Sequence, residues 1–293
     1  MRSPTRPVPP HRGRSVPTPR PRLRPRVGAT LPDPKHPWFQ ASDAPRVLAH
    51  RGLVPEGSTD LVENSFAAVA AAHAAGATYV ESDCHVTVDG EVVLFHDDDL
   101  QRVAGDPRAV ADVTFGELSV LMAGLGGVLT LTQALESFPT VRFNLDVKAP
   151  AAAEPVGRSV AAHSERVLLT SFSDERRHAA LRAAVDAGAP VRPATSAGTR
   201  TITRLLLASG IRARRAVSRL LSDVDALQVP ERHGRVPIVT PRLIETAHRH
   251  GVEIHVWTVN DPADMERLLD AGVDGLVTDR ADIALPLAAR RAA

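Results

Sequence analysis

The hydrophobic pattern of this chain changes near Arg46, where short apolar runs begin to alternate with Ala-rich stretches of helical period. The runs predict strands over Val47–His50, Tyr79–Asp83, Val141–Val147, Val167–Phe172, Val191–Ala194, Asp225–Val229, Ile254–Val259 and Gly275–Thr278. Between them, Ser65–Ala75, Leu131–Phe138, Asp174–Ala187, Pro241–His250 and Ala263–Ala271 predict helices. Several of these end at a glycine (Gly76, Gly251, Gly272), where a left-handed cap is expected. Eight strands alternating with helices over about 250 residues predict an α/β fold, a closed parallel (β/α)8 TIM barrel.

One further apolar run, Glu91–Phe95, breaks the alternation. It follows Val86-Thr87-Val88-Asp89-Gly90, and Asp-Gly between extended runs signals a tight hairpin with an antiparallel second strand. An antiparallel partner cannot be the next barrel strand. The pattern therefore predicts a hairpin-containing insertion after strand 2, about residues 86–127, that rises above the second strand and folds back over the barrel mouth.

Composition divides the chain in two. Residues 1–35 hold eight Arg and one Lys against one Asp, and ten of the 24 prolines. Proline removes backbone donors and apolar residues are sparse, so this Pro/Arg-rich arm is expected to be disordered, ahead of one domain over residues 36–293. The plain reading of the arm is a tail and the sharper one a contact with an acidic membrane surface or nucleic acid. Without aromatics or a defined patch the plain reading is preferred, which leaves no nucleic-acid partner and at most a weak anionic-membrane contact. The remainder carries 26 Lys and Arg against 33 Asp and Glu. Aromatics make up only 3%, so the core must be aliphatic. The single cysteine, Cys84, cannot form an internal disulfide, no apolar run approaches the ~18 residues of a membrane span, and no secretory apolar segment is visible. These features predict a cytoplasmic protein; they leave the oligomeric state open.

Active sites of this architecture lie at the C-terminal ends of the strands. Those ends carry His50-Arg51, Glu81 and Asp83, Asp146 and Lys148, Ser171, Trp257 and Asn260, and Asp279. Glu81 and Asp83 are two residues apart on one strand, so both point the same way, about 7 Å apart. Three inward carboxylates raise one another's pKa unless a cation is present, and a hard divalent ion with oxygen ligands (Mg2+ or Ca2+, with Mn2+ a third candidate) resolves this. Strand-end acids paired with Lys148 and a nearby Arg would give the same pattern without a metal. The histidines shift the balance: His50 closes the first strand and His96 closes the hairpin. Two histidines beside a carboxylate cluster suit phosphoryl chemistry, which needs a base and an acid flanking phosphorus. Arg51 and Lys148 could neutralise phosphate oxygens, and Gly52 could let the backbone approach closely.

His50-Arg51-Gly52, Glu63-Asn64, Glu81-Ser82-Asp83 with His85 and Asp89-Gly90, and His96-Asp97 together resemble the signature of the glycerophosphodiester phosphodiesterase family. Asn144–Lys148, Thr170-Ser171-Phe172, Trp257–Asn260 and Thr278-Asp279-Arg280 continue the resemblance in family order over roughly residues 36–285. The resemblance implies metal-dependent hydrolysis of glycerophosphodiesters to glycerol 3-phosphate and an alcohol. Carried over by position, His50 and His96 are the acid–base pair, and Glu81, Asp83 and Asp146 ligate one divalent ion. Arg51, Glu63 and Lys148 support metal or phosphate, and the glycerol end packs on Trp257. Ser171 is expected to position strand four.

Two departures stand out. Asp146-Val147-Lys148 replaces the family's Glu-Ile-Lys, which shortens that carboxylate by one methylene, about 1.5 Å of reach. Val62-Glu63-Asn64-Ser65 replaces Pro-Glu-Asn-Thr and follows an extra stretch, Val54–Leu61, expected to reshape the substrate entrance. Ser65 can still cap the next helix. The rival enzyme reading is a lysophospholipase D or sphingomyelinase D-like phosphodiesterase. It would require an exposed apolar rim at the mouth, for which Val120-Leu121-Met122 and Leu125 are candidates. A rival of another class is a non-catalytic binding module with a basic interaction arm; retention of both histidines speaks against it.

Overall fold

The computed structural model describes residues 36–40 and 44–292; the arm of residues 1–35 lies outside them. In chain order the elements are β1 (Arg46–His50), α1 (Phe66–Ala74), β2 (Tyr79–Val86), β3 (Val92–Leu94), α2 (Gln101–Ala104), α3 (Phe115–Met122), α4 (Leu131–Ser137) and β4 (Arg142–Val147). There follow α5 (Ala153–Val160), β5 (Val167–Thr170), α6 (Asp174–Asp186), β6 (Ala194–Thr195), α7 (Thr199–Gly210), α8 (Arg214–Leu220), β7 (Ala226–Pro230), β8 (Arg232–His233) and β9 (Val236–Pro237). The chain ends with α9 (Pro241–Arg249), β10 (Glu253–Trp257), α10 (Pro262–Asp270), β11 (Gly275–Thr278) and α11 (Ala281–Ala292).

Eight strands lie parallel in the order β6-β5-β4-β2-β1-β11-β10-β7, and a parallel bridge from Ser196 to Ala226 joins the two ends. The fold is a TIM barrel. The hairpin is also present: β3 runs antiparallel on β2, with Cys84 opposite Leu94 and Val86 opposite Val92. Ser65 caps α1 by accepting from the Ala68 N–H, and Gly76, Gly251 and Gly272 follow their helices with positive φ. The sixth strand sits at Ala194–Thr195 rather than Val191–Ala194, because Pro193 has no N–H to give a ladder and pairing starts after it. Helices α5, α7, α8 and α11 occupy stretches for which the apolar pattern predicted nothing. In α5 the reason is visible at Gly157, where an added Cβ would lie 2.2 Å from the Ala180 carbonyl oxygen of α6. The glycine that weakens the helical signal is what lets the two helices pack backbone to backbone.

Strand parity sorts the side chains. Val47 and Ala49, Phe143 and Leu145, and Val167 and Leu169 belong to the main aliphatic core. The alternate residues Leu48, Tyr79, Leu168, Ala226 and Val277 form a separate cluster with Trp38 and Phe39. That second cluster marks the lower barrel interior, and the segment before β1 fills it. Trp38 is fully buried, its indole donates to the Phe143 carbonyl at 3.1 Å, and it meets Tyr79 edge-on at 4.7 Å. Arg46 lies 5.3 Å from the Phe39 and Tyr79 rings and forms a two-pronged ion pair with Glu253, 2.8 Å on each arm. Burial opposes ionisation of Glu253, but His255 and Arg46 outweigh it and hold its pKa at about 2.

The barrel floor therefore depends on two aromatic residues outside every strand, of which Trp38 is the larger and fully buried. Trp38→Ala is expected to cost about 3–5 kcal/mol, the usual range for emptying a buried Trp site. Chemical denaturation checks this; a loss below about 1 kcal/mol would show that the floor closes without it.

Candidate active site

The site is assembled by register. Across the β1–β2 pair His50 stands beside Glu81. Across β2–β4, Glu81 stands beside Asn144 and Asp83 beside Asp146. Neighbouring strands are about 4.8 Å apart, so the inward members of these rows converge at the mouth. A cleft of about 680 Å³ opens over them, lined on this side by His50, Arg51, Glu81, Asp83, His96, Asp146 and Lys148, with Trp257 farther along. Of the nine residues to which the resemblance assigned a catalytic, metal or substrate role, only Glu63 stands outside this lining, and the strand-end residues Asn260 and Asp279 stand outside it too. Glu63 and Asp279 line a second cavity of about 320 Å³ that His50 shares, with Val54, Leu61 and Arg102. The extra stretch after the His-Arg-Gly turn thus forms part of that second wall.

The acids are buried and unequally compensated. Lys148 Nζ lies 3.2 Å from both Asp83 Oδ1 and Asp146 Oδ2. Asp83 Oδ2 accepts from Asn64 at 3.1 Å and lies 2.9 Å from Arg51 Nε, whose N–H is not aimed at it. Glu81 Oε2 and Asp146 Oδ1 are buried with no hydrogen-bond partner. Burial first, then the charge of Asp83, push the Glu81 pKa up to about 8. Burial also raises that of Asp146, with Lys148 opposing and Asp83 adding to the rise.

Arg51 and Asn64 both take left-handed backbone conformations, φ 56° and 60°, which non-glycine residues adopt at a cost. Hydrogen bonds hold them there: the Arg51 N–H donates to the Glu81 carbonyl and the Asn64 N–H to the Arg51 carbonyl, both at 2.8 Å. Gly52 has φ +91°, and an added Cβ would lie 2.6 Å from the Ala68 carbonyl carbon. The close approach that needs this glycine is to helix α1, not to a ligand.

Each histidine is oriented by a carboxylate. His50 Nδ1 lies 2.6 Å from Asp279 Oδ1, and Asp279 is held in turn by Asn260 at 2.7 Å. His96 Nδ1 lies 2.6 Å from Asp97 Oδ1. The Arg102 hydrogen bond is the main reason the Asp97 pKa falls to about 2. Ionised carboxylates only accept, so both Nδ1 atoms donate and both Nε2 atoms are left for other partners. Burial works against charging His50, but Asp279 and Glu81 outweigh it and raise its pKa. Glu63 touches Arg51 at 2.9 Å and Arg102 at 2.6 Å, so its direct partners are the two arginines. Ser171 Oγ donates to the Val147 carbonyl, tying strand to strand. Phe172 stands edge-on to Trp257 at 5.9 Å. Asn64, Asp97, Arg102 and Asp279 join the site with no role expected of them from the sequence. Asp97 and Asp279 carried a signal, one adjacent to His96 and one at a strand end; Arg102 had none.

Residues 50–283 match the Glycerophosphoryl diester phosphodiesterase family. The chain belongs to that family. Membership makes it an enzyme, a phosphodiesterase acting on glycerophosphodiesters. It is 38% identical over 240 residues to a Mycobacterium tuberculosis protein named "Probable glycerophosphodiester phosphodiesterase 2", covering 80% of this chain and 88% of that one. A glycerophosphodiester phosphodiesterase of Caldanaerobacter subterraneus is 28% identical, with 80% and 93% covered. Among solved structures, the Thermotoga maritima glycerophosphodiester phosphodiesterase superposes with a TM-score of 0.63 at 26% identity, covering 82% of this chain and 97% of that one. Among the described residues, no helix of this phosphodiesterase is long and apolar enough to cross a membrane.

The His50–Asp279 pair makes a pH-dependent signature. The Asp279 carboxylate favours the imidazolium, so Asp279→Asn should lower the His50 pKa. An NMR titration of the His50 ring is expected to move to lower pH in the variant; an unmoved titration would show that Asp279 does not set it.

Proposed function

We propose that this phosphodiesterase hydrolyses small glycerophosphodiesters to glycerol 3-phosphate and an alcohol, with His50 and His96 as opposed acid and base and a divalent ion in the carboxylate cluster. One observation supports the reading above the rest: two histidines, each with Nδ1 held by its own carboxylate, line one cleft with Arg51 and Lys148. One imidazole removes a proton from the attacking oxygen while the other delivers one to the departing alkoxide. Arg51 and Lys148 supply positive charge for the phosphate oxygens, and Trp257 offers an apolar face for the glycerol end.

The donors suit a hard ion in kind, since all are carboxylate oxygens. Two buried oxygens without partners, on Glu81 and Asp146, are what a cation would satisfy. Asp83 fits less well, because Lys148 and Asn64 already engage its two oxygens. Among the described residues, no group of three or more His, Cys, Asp or Glu side chains, as they stand, is placed to hold a metal ion. Glu81, Asp83 and Asp146 would hold Mg2+, Ca2+ or Mn2+. When bound, such an ion supplies Lewis-acid charge to the phosphate.

The apolar rim expected of a lipid enzyme does not come from the insertion. Met122 is buried, and Leu121 and Leu125 pack with it in a small core under α3; Val120 alone is 77% exposed.

His50→Ala and His96→Ala are each expected to lower kcat on glycerophosphocholine by at least ~10², since acid–base groups contribute 10²–10⁴. A coupled assay for glycerol 3-phosphate reads this; near-normal turnover in either variant removes that residue from the chemistry. Chelation should abolish activity and added Mg2+, Mn2+ or Ca2+ restore it. Asp146→Asn should raise the metal needed for half-maximal rate by about 5- to 150-fold. Full activity in excess chelator, with no metal by elemental analysis, would refute the metal.

A further inference from the structure

We infer that the helical hairpin of α7 and α8 is a docking face for an anionic lipid surface. The inference stands apart from the chemistry of the cleft and rests on charge and exposure. Residues 187–222 contain seven Arg and no Asp, Glu or Lys. Six of the seven lie on α7, on α8 and in the turn between them, and Arg200, Arg204, Arg212, Arg214, Arg215 and Arg219 are all exposed. The rest of residues 36–293 carries 20 Lys and Arg against 33 Asp and Glu. An acidic body therefore presents one basic face. Pairing sets these arginines apart as well. On other helices exposed arginines are matched by acids, as Arg158 by Glu154 and Arg267 by Asp264 and Glu231. Among the described residues, only Arg200 of the six has such a partner, Glu175 at 3.7 Å. Like charges left unmatched on one face repel one another and do nothing for folding, whereas an anionic partner would relieve them.

Helix α7 shows which anionic partner fits. Arg200, Arg204, Leu207 and Ile211 follow one another at spacings of four, three and four residues, which places them on one outer stripe. The Ile211 N–H donates to the Leu207 carbonyl at 3.2 Å, so the helical turn continues to that residue. Leu207 and Ile211 are 67% and 80% exposed. The inner side of the hairpin is supplied by Leu205, Ala208 and Val217, which join the main core, so the two outer aliphatics are surplus to packing. Arginines beside protruding aliphatic side chains suit a surface that carries phosphates above hydrocarbon. A nucleic-acid backbone would engage the arginines but leave Leu207 and Ile211 in water. A second copy joined through the same face would oppose like charges. None of the six arginines, nor Leu207 or Ile211, lines the cleft.

The test is co-sedimentation of the full chain with vesicles of phosphatidylcholine, with and without phosphatidylglycerol. The expected result is binding to the anionic vesicles alone, weakening as salt is added. Arg204→Gln combined with Arg214→Gln and Arg215→Gln should lower partitioning by about 10²-fold, roughly fivefold per charge. Leu207→Gln combined with Ile211→Gln leaves the charge unchanged and should lower it by about tenfold. The basic arm is intact in both variants, so each loss belongs to the hairpin. Both variants should keep the parent's melting temperature and its turnover of glycerophosphocholine in solution, because the altered side chains are exposed and lie outside the cleft. Equal binding to neutral and anionic vesicles, or variants that bind as the parent does, would overturn the docking face. Binding to duplex DNA that falls in the arginine variant and not in the aliphatic one, without binding to vesicles, would also overturn it and give the face to nucleic acid.

Discussion

The barrel mouth carries three buried carboxylates on two adjacent strands, and the surrounding structure is organised by what that crowding requires. Register puts Asp83 next to Asp146, and Glu81 two residues below Asp83 on the same face. Like charges at such spacing, out of water, cannot all stay ionised without nearby cations. Lys148, two residues beyond Asp146, reaches both aspartates. Arg51 and Asn64 bring a charge and an amide to Asp83 from left-handed backbone positions held by hydrogen bonds from Arg51 to the Glu81 carbonyl and from Asn64 to the Arg51 carbonyl. Glu81, whose Oε2 has no hydrogen-bond partner, has its pKa pushed up to about 8. The strained turn, the lysine placement and the perturbed glutamate share one origin.

The compensation extends outward as a chain of alternating sign. Asp146, Lys148 and Asp83 lead to Arg51, then Glu63, Arg102, Asp97 and His96, each step at 3.2 Å or less. Arg102 is 53% exposed, and exposed ion pairs contribute little to stability. Orientation is the better account of them. Arg102 keeps Asp97 ionised to accept from His96, and it holds Glu63 against Arg51. The insertion, which carries Arg102 on the four-residue α2, is thereby indexed to a turn of the barrel itself.

Much of this was legible in the sequence because it is local. Period-2 alternation fixed which faces of β2 and β4 share their acids. Asp89-Gly90 gave the hairpin, and Ser65 the helix start. Pairings between distant segments were not legible. Asp279 follows His50 by 229 residues, and only closure of the barrel through the β1–β11 pair makes them neighbours. The floor residue Trp38 lies in a segment with no periodicity, and its burial follows from the volume of the barrel interior. Helix α7 has β-branched Thr199, Thr201, Ile202 and Thr203 in its first turns, which weakens a helical reading.

The antiparallel hairpin follows from the geometry of a parallel barrel. Strands β1, β2 and β4 use their last inward positions for His50, the carboxylates and Lys148, and all of these approach the cleft from its floor. Under the proposed mechanism, acid–base chemistry at phosphorus uses two proton-transferring groups on opposite sides of the reacting atom. A second histidine on a neighbouring parallel strand would sit beside the first. Extending β2 past the rim and reversing it through β3 places His96 at the end of a strand that runs the other way. The small core of Val93, Phe95, Leu100, Val110, Val113, Leu118 and Met122 holds that segment together. On this view the insertion is the element through which a one-sided barrel mouth acquires a second face, and its aliphatic residues are spent on rigidity.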